Sequence, residues 1–186
     1  MSVARAALRW DARRKCRWLL SGGIGTARCG PLLDIGTGSG LLAASLRRAG
    51  WQVVQVDVAD WAFDRRWPPL LYDGARLPYQ SREFAVALLS TVLHHASDPR
   101  RLLAEAVRVA RTVVLVEDVY TTTTQRGLTM MADRVANLSF RHHPHQNRTT
   151  AGWQAMAADL SLATVRCEER RFLLLFRQLL LVLDSR

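Results

Sequence analysis

The chain has 186 residues, enough for one domain with a sizeable core, and its 26 Lys and Arg against 16 Asp and Glu give a formal net charge of +10. Lys15 is the only lysine, and the arginines are scattered in ones and twos rather than gathered in a stripe, which argues against a dedicated nucleic-acid surface. Cys16, Cys29 and Cys167 are far apart and form no CxxC pair, so neither a zinc site nor a disulfide framework is expected, and the longest apolar run (172–183), broken by Arg177 and Gln178, is too short for a membrane span of about 20 residues.

In chain order, residues 2–20 read as an amphipathic helix with Leu8, Trp10, Trp18 and Leu19 among charged positions, too rich in arginine for a secretory signal core. A cytoplasmic location is the expectation. Residues 21–30, with Gly22, Gly23 and Gly25, read as a connector. Leu32–Ile35 is then a short strand, 41–49 a helix closed by Gly50, 51–58 a second strand and 70–73 a third. The fourth, 84–91, is apolar throughout, as a central parallel strand should be. Asp98-Pro99 supplies an N-cap and a first-turn proline for a helix over 99–110, and 112–120 is the fifth strand. A long excursion follows at 121–148, with a helix expected near 126–139. Thr149 or Thr150 caps another helix to about Leu160, and the last two strands can pair antiparallel. The pattern is α/β, a Rossmann-like doubly wound seven-stranded sheet, mostly parallel with an antiparallel last strand. It is expected as one domain: an N-terminal helix and loop (1–30), a cofactor core (31–120), an acceptor-side lid (121–160) and a strand pair (161–186).

The turn after the first strand, "LLDIGTGSG", carries Gly36, Gly38 and Gly40, which let the backbone approach a ligand. Its glycine spacing also matches a dinucleotide loop from Gly38, so charge must decide. Asp34 stands two residues before Gly36, where it would repel a pyrophosphate and favour a ligand carrying an ammonium and a sulfonium. No G-K-[ST] follows, which excludes a triphosphate loop. Asp57 ends the second strand, where a carboxylate can accept both hydroxyls of a ribose, and Asp73 ends the third, placed for an exocyclic adenine amine. Together these select S-adenosyl-L-methionine as the expected cofactor, against a reading in which the three acids only cap turns.

The same stretch resembles the first motif of class I S-adenosylmethionine-dependent methyltransferases. "YDGARLPYQSREFAVALLSTVLHHASDPRRLLAEAVRVAR" resembles the signature of their ubiquinone/menaquinone-biosynthesis-like (type 11) group, and the likeness covers roughly 30–120. It implies Gly36 and Gly38 against the methionine portion, Asp57 on the ribose, Asp73 with Gly74 at the adenine and Ser90 beside the methionine tail, with Val58 also counted among the cofactor contacts. Two departures stand out. Strand four opens Phe84-Ala85 where the group has Phe-Asp, and its Pro-Gly-Gly before strand five is missing. The segment between Asp57 and Asp73 is also short for a second helix.

The acceptor is less legible. Strand four ends "LSTVLHH", without the Asn/Asp-Pro-Pro-aromatic sequence of nucleobase amino methylation, and no cysteine is placed to attack a pyrimidine. His94 or His95 is a candidate general base. Asp133 and Asn137, four apart on the excursion helix, are candidates for substrate contact, as is His142. His142, His143 and His145 lack a fixed ligand geometry, so no metal is expected. The expectation is a methyltransferase acting on a small-molecule acceptor of apolar, cyclic or lipid-like character. The alternatives are a catalytically silent cofactor-binding partner and an RNA methyltransferase using the arginine surface. Oligomeric state is left open.

Overall fold

The computed structural model describes residues 3–24, 30–121, 127, 146–172 and 176–184. Seven strands form one sheet: β1 (Leu32–Ile35), β2 (Val53–Asp57), β3 (Leu70–Leu71), β4 (Phe84–Ser90), β5 (Ala110–Val119), β6 (Ala163–Phe172) and β7 (Phe176–Asp184), in spatial order β3-β2-β1-β4-β5-β7-β6. β1 pairs in parallel with β2 and β4, and β4 with β5; β7 runs antiparallel between β5 and β6. This is the expected doubly wound sheet. The strand order reverses beside β1, so the β1 and β4 carboxyl ends open onto a common crevice, where such sheets hold ligands.

Alternation along the strands gives the sheet two apolar faces. On one, Leu33, Ile35, Val113, Leu115 and Leu181 pack under α3 (Pro99–Val109) and α4 (Thr150–Asp159), with Trp153 and Leu103 fully buried. On the other, Leu32, Val114, Val116, Leu180 and Val182 meet α2 (Leu41–Arg48) and the end of α1 (Val3–Trp18) through Leu46, Trp18 and Leu19. The edge strand β6 is mostly exposed and carries the Arg166–Glu168–Arg170 ion-pair ladder, charge of the kind that discourages edge-to-edge pairing.

Caps behave as their chemistry demands. The Asp98 carboxylate accepts from Arg101 N at 2.9 Å with Pro99 in the first turn, and Thr149 Oγ1 accepts from Gly152 N at 3.2 Å. Asp98→Ala is expected to lower stability by about 1 kcal/mol in urea denaturation, because one orphan helix N–H loses its partner.

Several expectations need correction. The connector after α1 begins not as a loop but as a π-helical turn, Leu19–Gly23, closed by Ile24 N on Leu19 O at 2.9 Å. β3 is two residues long rather than four, with Tyr72 and Asp73 already in the following turn. A 3-10 turn, Leu93–His95, follows β4. Between β2 and β3 there is no helix; Asp60 and Asp64 instead fold residues 58–69 through side-chain bonds to Ala62 N and Arg66 N. The expected helix near 126–139 lies, but for residue 127, outside the described residues.

Candidate cofactor and acceptor site

The loop from β1 to α2 is pinned from beneath. Gly36 N donates to Val56 O at 2.8 Å and Gly40 N to Thr37 O at 3.1 Å. Gly36, Gly38 and Gly40 all have positive φ, +69°, +54° and +71°, a region other residues enter only with strain. At Gly36 a side chain is excluded outright: its Cβ would lie 2.2 Å from Val92 Cγ2, so the turn after β4 rests directly on the glycine loop. At Gly38 an added Cβ meets nothing within 4 Å, which leaves the loop's outer face open to a ligand.

Asp34 is 2% exposed and does not reach that open face. Thr37 Oγ1 donates to its Oδ2 at 2.7 Å, and Gln55 Nε2 donates to Thr37 Oγ1 at 2.9 Å. The structure thus places Asp34 beneath the loop, which it supports through Thr37. Burial pushes the Asp34 carboxyl up to about 6; the Thr37 hydroxyl opposes the shift and the Asp57 charge adds to it. Because the folded pKa lies above the unfolded one, the native state holds this proton more tightly. The acid's contribution to stability is then present at low pH and lost as pH rises from about 4 to about 6. Asp34→Asn is expected to gain on the order of 3 kcal/mol relative to wild type across that window, read from urea denaturation at a series of pH values.

Asp57 is also mostly buried. Its Oδ2 accepts from Gly38 N at 2.8 Å, and its Oδ1 from Val58 N at 2.7 Å and Ala59 N at 3.4 Å. Two wholly free oxygens for a ribose are thus not what the structure shows: the carboxylate ties the glycine loop to the β2 end and retains only part of its acceptor capacity. Val58 is exposed beside it, and a Cβ on Gly74 (φ +76°) would stand 3.2 Å from Val58 Cγ1. The β2 and β3 ends therefore meet through Val58 and Gly74. Asp73 is exposed, and its Oδ1 accepts from Ala75 N and Arg76 N at 2.8 and 3.1 Å; these backbone bonds hold its carboxyl below the usual range.

On the acceptor side the geometry departs further from the sequence reading. Ser90 ends β4, and Thr91 follows at φ +55°, a strained conformation for a β-branched residue. Thr91 N donates to Val116 O, and its hydroxyl to Ser90 O at 2.7 Å. The buried Lys15 Nζ lies 3.4 Å from Thr91 Oγ1 and 3.0 Å from Asp11 Oδ2. Beyond it, Asp118 Oδ1 accepts from Gln178 Nε2 at 2.7 Å, Gln178 also bonds Arg14, and burial pushes the Asp118 carboxyl up.

His94 is fully buried. Its Nδ1 meets Glu117 Oε2 at 2.6 Å, while Glu117 Oε1 accepts from Val92 N at 3.0 Å and Leu93 N at 2.8 Å. Gln146 N donates to His94 O at 3.0 Å, fastening the returning chain to the same turn. The structure thus places His94 as a buried pin between β5 and the turn after β4. His95 is half-buried, its ring 4.0 Å from that of His94. The substrate candidates Asp133, Asn137 and His142 lie outside the described residues. Sequence reasoning missed Thr37, Gln55, Thr91 and Lys15. Only Lys15 carried a signal, as the chain's one lysine on an otherwise arginine-rich helix.

Residues 33–113 match the family model described as a methyltransferase domain. That match places a methyltransferase domain in the core of the chain, and the seven-stranded fold is the one that class I S-adenosylmethionine-dependent methyltransferases share. Among solved structures, the chain is similar to the magnesium protoporphyrin IX methyltransferase of Synechocystis PCC 6803 with bound S-adenosylhomocysteine, at 17% identity and a TM-score of 0.66, covering 97% of this chain and 85% of that one. It is also similar to the geranyl diphosphate C-methyltransferase of Streptomyces coelicolor A3(2), at 11% identity and a TM-score of 0.71 over 93% and 79% of the two chains. A possible histamine N-methyltransferase of Thermotoga maritima shares 15% identity and a TM-score of 0.70 over 99% and 92%. No curated protein matches the sequence. Among the described residues no helix is long and apolar enough to cross a membrane.

Proposed function

We propose that this methyltransferase acts on a small, largely apolar acceptor, cyclic or lipid-like, bound at the carboxyl ends of β4 and β5. The observation that carries this reading is an aromatic wall at that end of the sheet. The Arg14 guanidinium stacks on Phe172 at 4.6 Å and lies 5.8 Å from the Trp10 ring, and Phe172 packs on Phe176 at 5.5 Å. β7 starts where β5 ends, Val119 pairing with Arg177, so this wall adjoins Asp118 and Gln178. The similar proteins named for magnesium protoporphyrin IX and geranyl diphosphate carry acceptors of the same general kind, a macrocycle and a prenyl chain.

The cradle fits the cofactor because its outer face over Gly38 is open and a carboxylate, Asp57, borders it. Bound S-adenosylmethionine supplies an electrophilic methyl group on sulfur. In this proposal Gly36, Gly38 and Gly40 let the backbone come close to it, and Asp57 orients the loop and accepts from a ribose hydroxyl. Val58 and Gly74 flank the adenine, with Asp73 at its amine, and Ser90 borders the methionine tail. Lys15 and Glu117 hold the Thr91–His95 turn so that the acceptor meets the methyl carbon in line, where positioning provides most of the acceleration. His95, the accessible member of the histidine pair, takes the proton where the acceptor is a hydroxyl or an acidic carbon. Incubating the enzyme with methyl-labelled S-adenosylmethionine and fractionated cell extract tests the acceptor class. Label extracted into organic solvent is expected; label recovered in RNA would overturn the reading.

A further inference from the structure

The missing helix between β2 and β3 leaves a cleft that adjoins the glycine loop at Gly40. This cleft, of about 300 Å³, opens between α2 and residues 62–67, lined by Arg47, Arg48 and Arg66 with Trp67, Asp64 and Gln55. Three guanidiniums face one carboxylate there. Arg66 and that carboxylate, Asp64, neutralise each other, bonded at 2.8 Å and 3.0 Å, which leaves Arg47 and Arg48 as the surplus charge of the cleft. Arg47 lies 4.5 Å over the Trp67 ring and donates to Val53 O at 2.8 Å, while Arg48 has no carboxylate partner among the described residues. Gln55, only 5% exposed, lines the same cleft, and its Oε1 has no hydrogen-bond partner. Its amide orientation is fixed: Thr37 Oγ1 spends its proton on Asp34, so Gln55 must present Nε2 to Thr37. The cleft thus offers positive charge at its rim above a buried polar floor.

Around it, one short stretch exposes an unusual amount of apolar surface. Trp61 is 66% exposed and Trp67 54%, and Phe63, Leu70 and Leu71 are exposed with them at the β3 edge of the sheet. Solvent-facing tryptophans and leucines beside Arg65 and Arg66, which Asp60 and Asp64 meet in ion pairs, are the apolar composition of a membrane–water interface rather than of an ordinary surface.

We infer that this edge docks on an anionic phospholipid bilayer, with one lipid phosphate held by the arginines of the cleft and the aromatic and leucine side chains of 61–71 entering the boundary between headgroups and acyl chains. The charge argues for this occupant over a second copy of the chain. A self-complementary contact would set the same arginines against each other on a protein of net charge +10, whereas an anionic surface attracts them.

Co-sedimentation with vesicles tests it, using phosphatidylglycerol mixed into phosphatidylcholine against phosphatidylcholine alone, with tryptophan emission read in parallel. Binding to the anionic vesicles only, with a blue shift of the emission, is expected. Trp61→Ser with Trp67→Ser, and separately Arg48→Ala with Arg66→Ala, are each expected to weaken that binding by about tenfold or more while the circular dichroism spectrum stays unchanged. If both folded double variants bind as wild type does, the arginine-rich surface acts only in bulk and the inference falls. It falls equally if vesicles are ignored while soluble glycerol 3-phosphate binds the cleft, or if the protein dimerises through this edge instead.

Discussion

Asp57→Ala is expected to weaken S-adenosylhomocysteine binding by about 100-fold in calorimetric titration, with the protein still folded. The carboxylate holds Gly38 N at 2.8 Å and Val58 N at 2.7 Å, so its loss frees the glycine loop and removes the acidic acceptor bordering the open face. Hydrogen bonds to charged groups contribute about 1.5–3 kcal/mol each, and about 2.7 kcal/mol corresponds to that hundredfold. Asp57→Asn separates the two contributions. One arm of an amide can only donate, and both arms of Asp57 face backbone N–H groups, so the asparagine must set a donor against a donor. A loss of about tenfold is expected for it. Affinity unchanged in both variants would show that Asp57 serves only its own turn.

The second large effect concerns stability. Glu117→Ala is expected to destabilise the fold by about 3–5 kcal/mol, with a drop in melting temperature of roughly 10 °C for a chain of this size. Three donors converge on this fully buried carboxylate: Val92 N, Leu93 N and His94 Nδ1. Removing it orphans all three at once. The consequence extends past stability, because Val92 sits against Gly36 and Thr91 adjoins Ser90. Cofactor affinity should therefore fall in the same variant, measured below its melting temperature. A thermal scan showing less than a few degrees of change would contradict the role assigned to Glu117.

How much of this was legible in the sequence follows from how local each feature is. β1, the caps at Asp98 and Thr149, and the pairing of the last two strands depend on residues within a few positions of each other. The sequence reading placed β1, the Asp98 cap and the strand pairing, and narrowed the other cap to Thr149 or Thr150. The glycine spacing likewise pointed to a ligand loop, because positive φ is a local demand. The individual acids were harder. Asp34, Asp57 and Asp73 look alike at the ends of strands, yet Asp34 is buried behind Thr37, Asp57 is bonded to Gly38, and Asp73 closes an exposed turn. Only the tertiary fold distinguishes them. The same holds for the two histidines. His94 and His95 are adjacent in sequence, but a 3-10 turn sends His94 inward to a carboxylate 23 positions away. The support of Thr37 by Gln55 spans 18 positions and two strands, and no periodicity announces it.

The measurement that tests the central claim most directly is calorimetric titration of the wild-type chain with S-adenosylhomocysteine, run beside NAD and ATP under the same conditions. One-to-one micromolar binding of S-adenosylhomocysteine, with no detectable heat from the other two, is the predicted result. A folded protein that leaves S-adenosylhomocysteine unbound, or that prefers the dinucleotide or the triphosphate, would contradict the account.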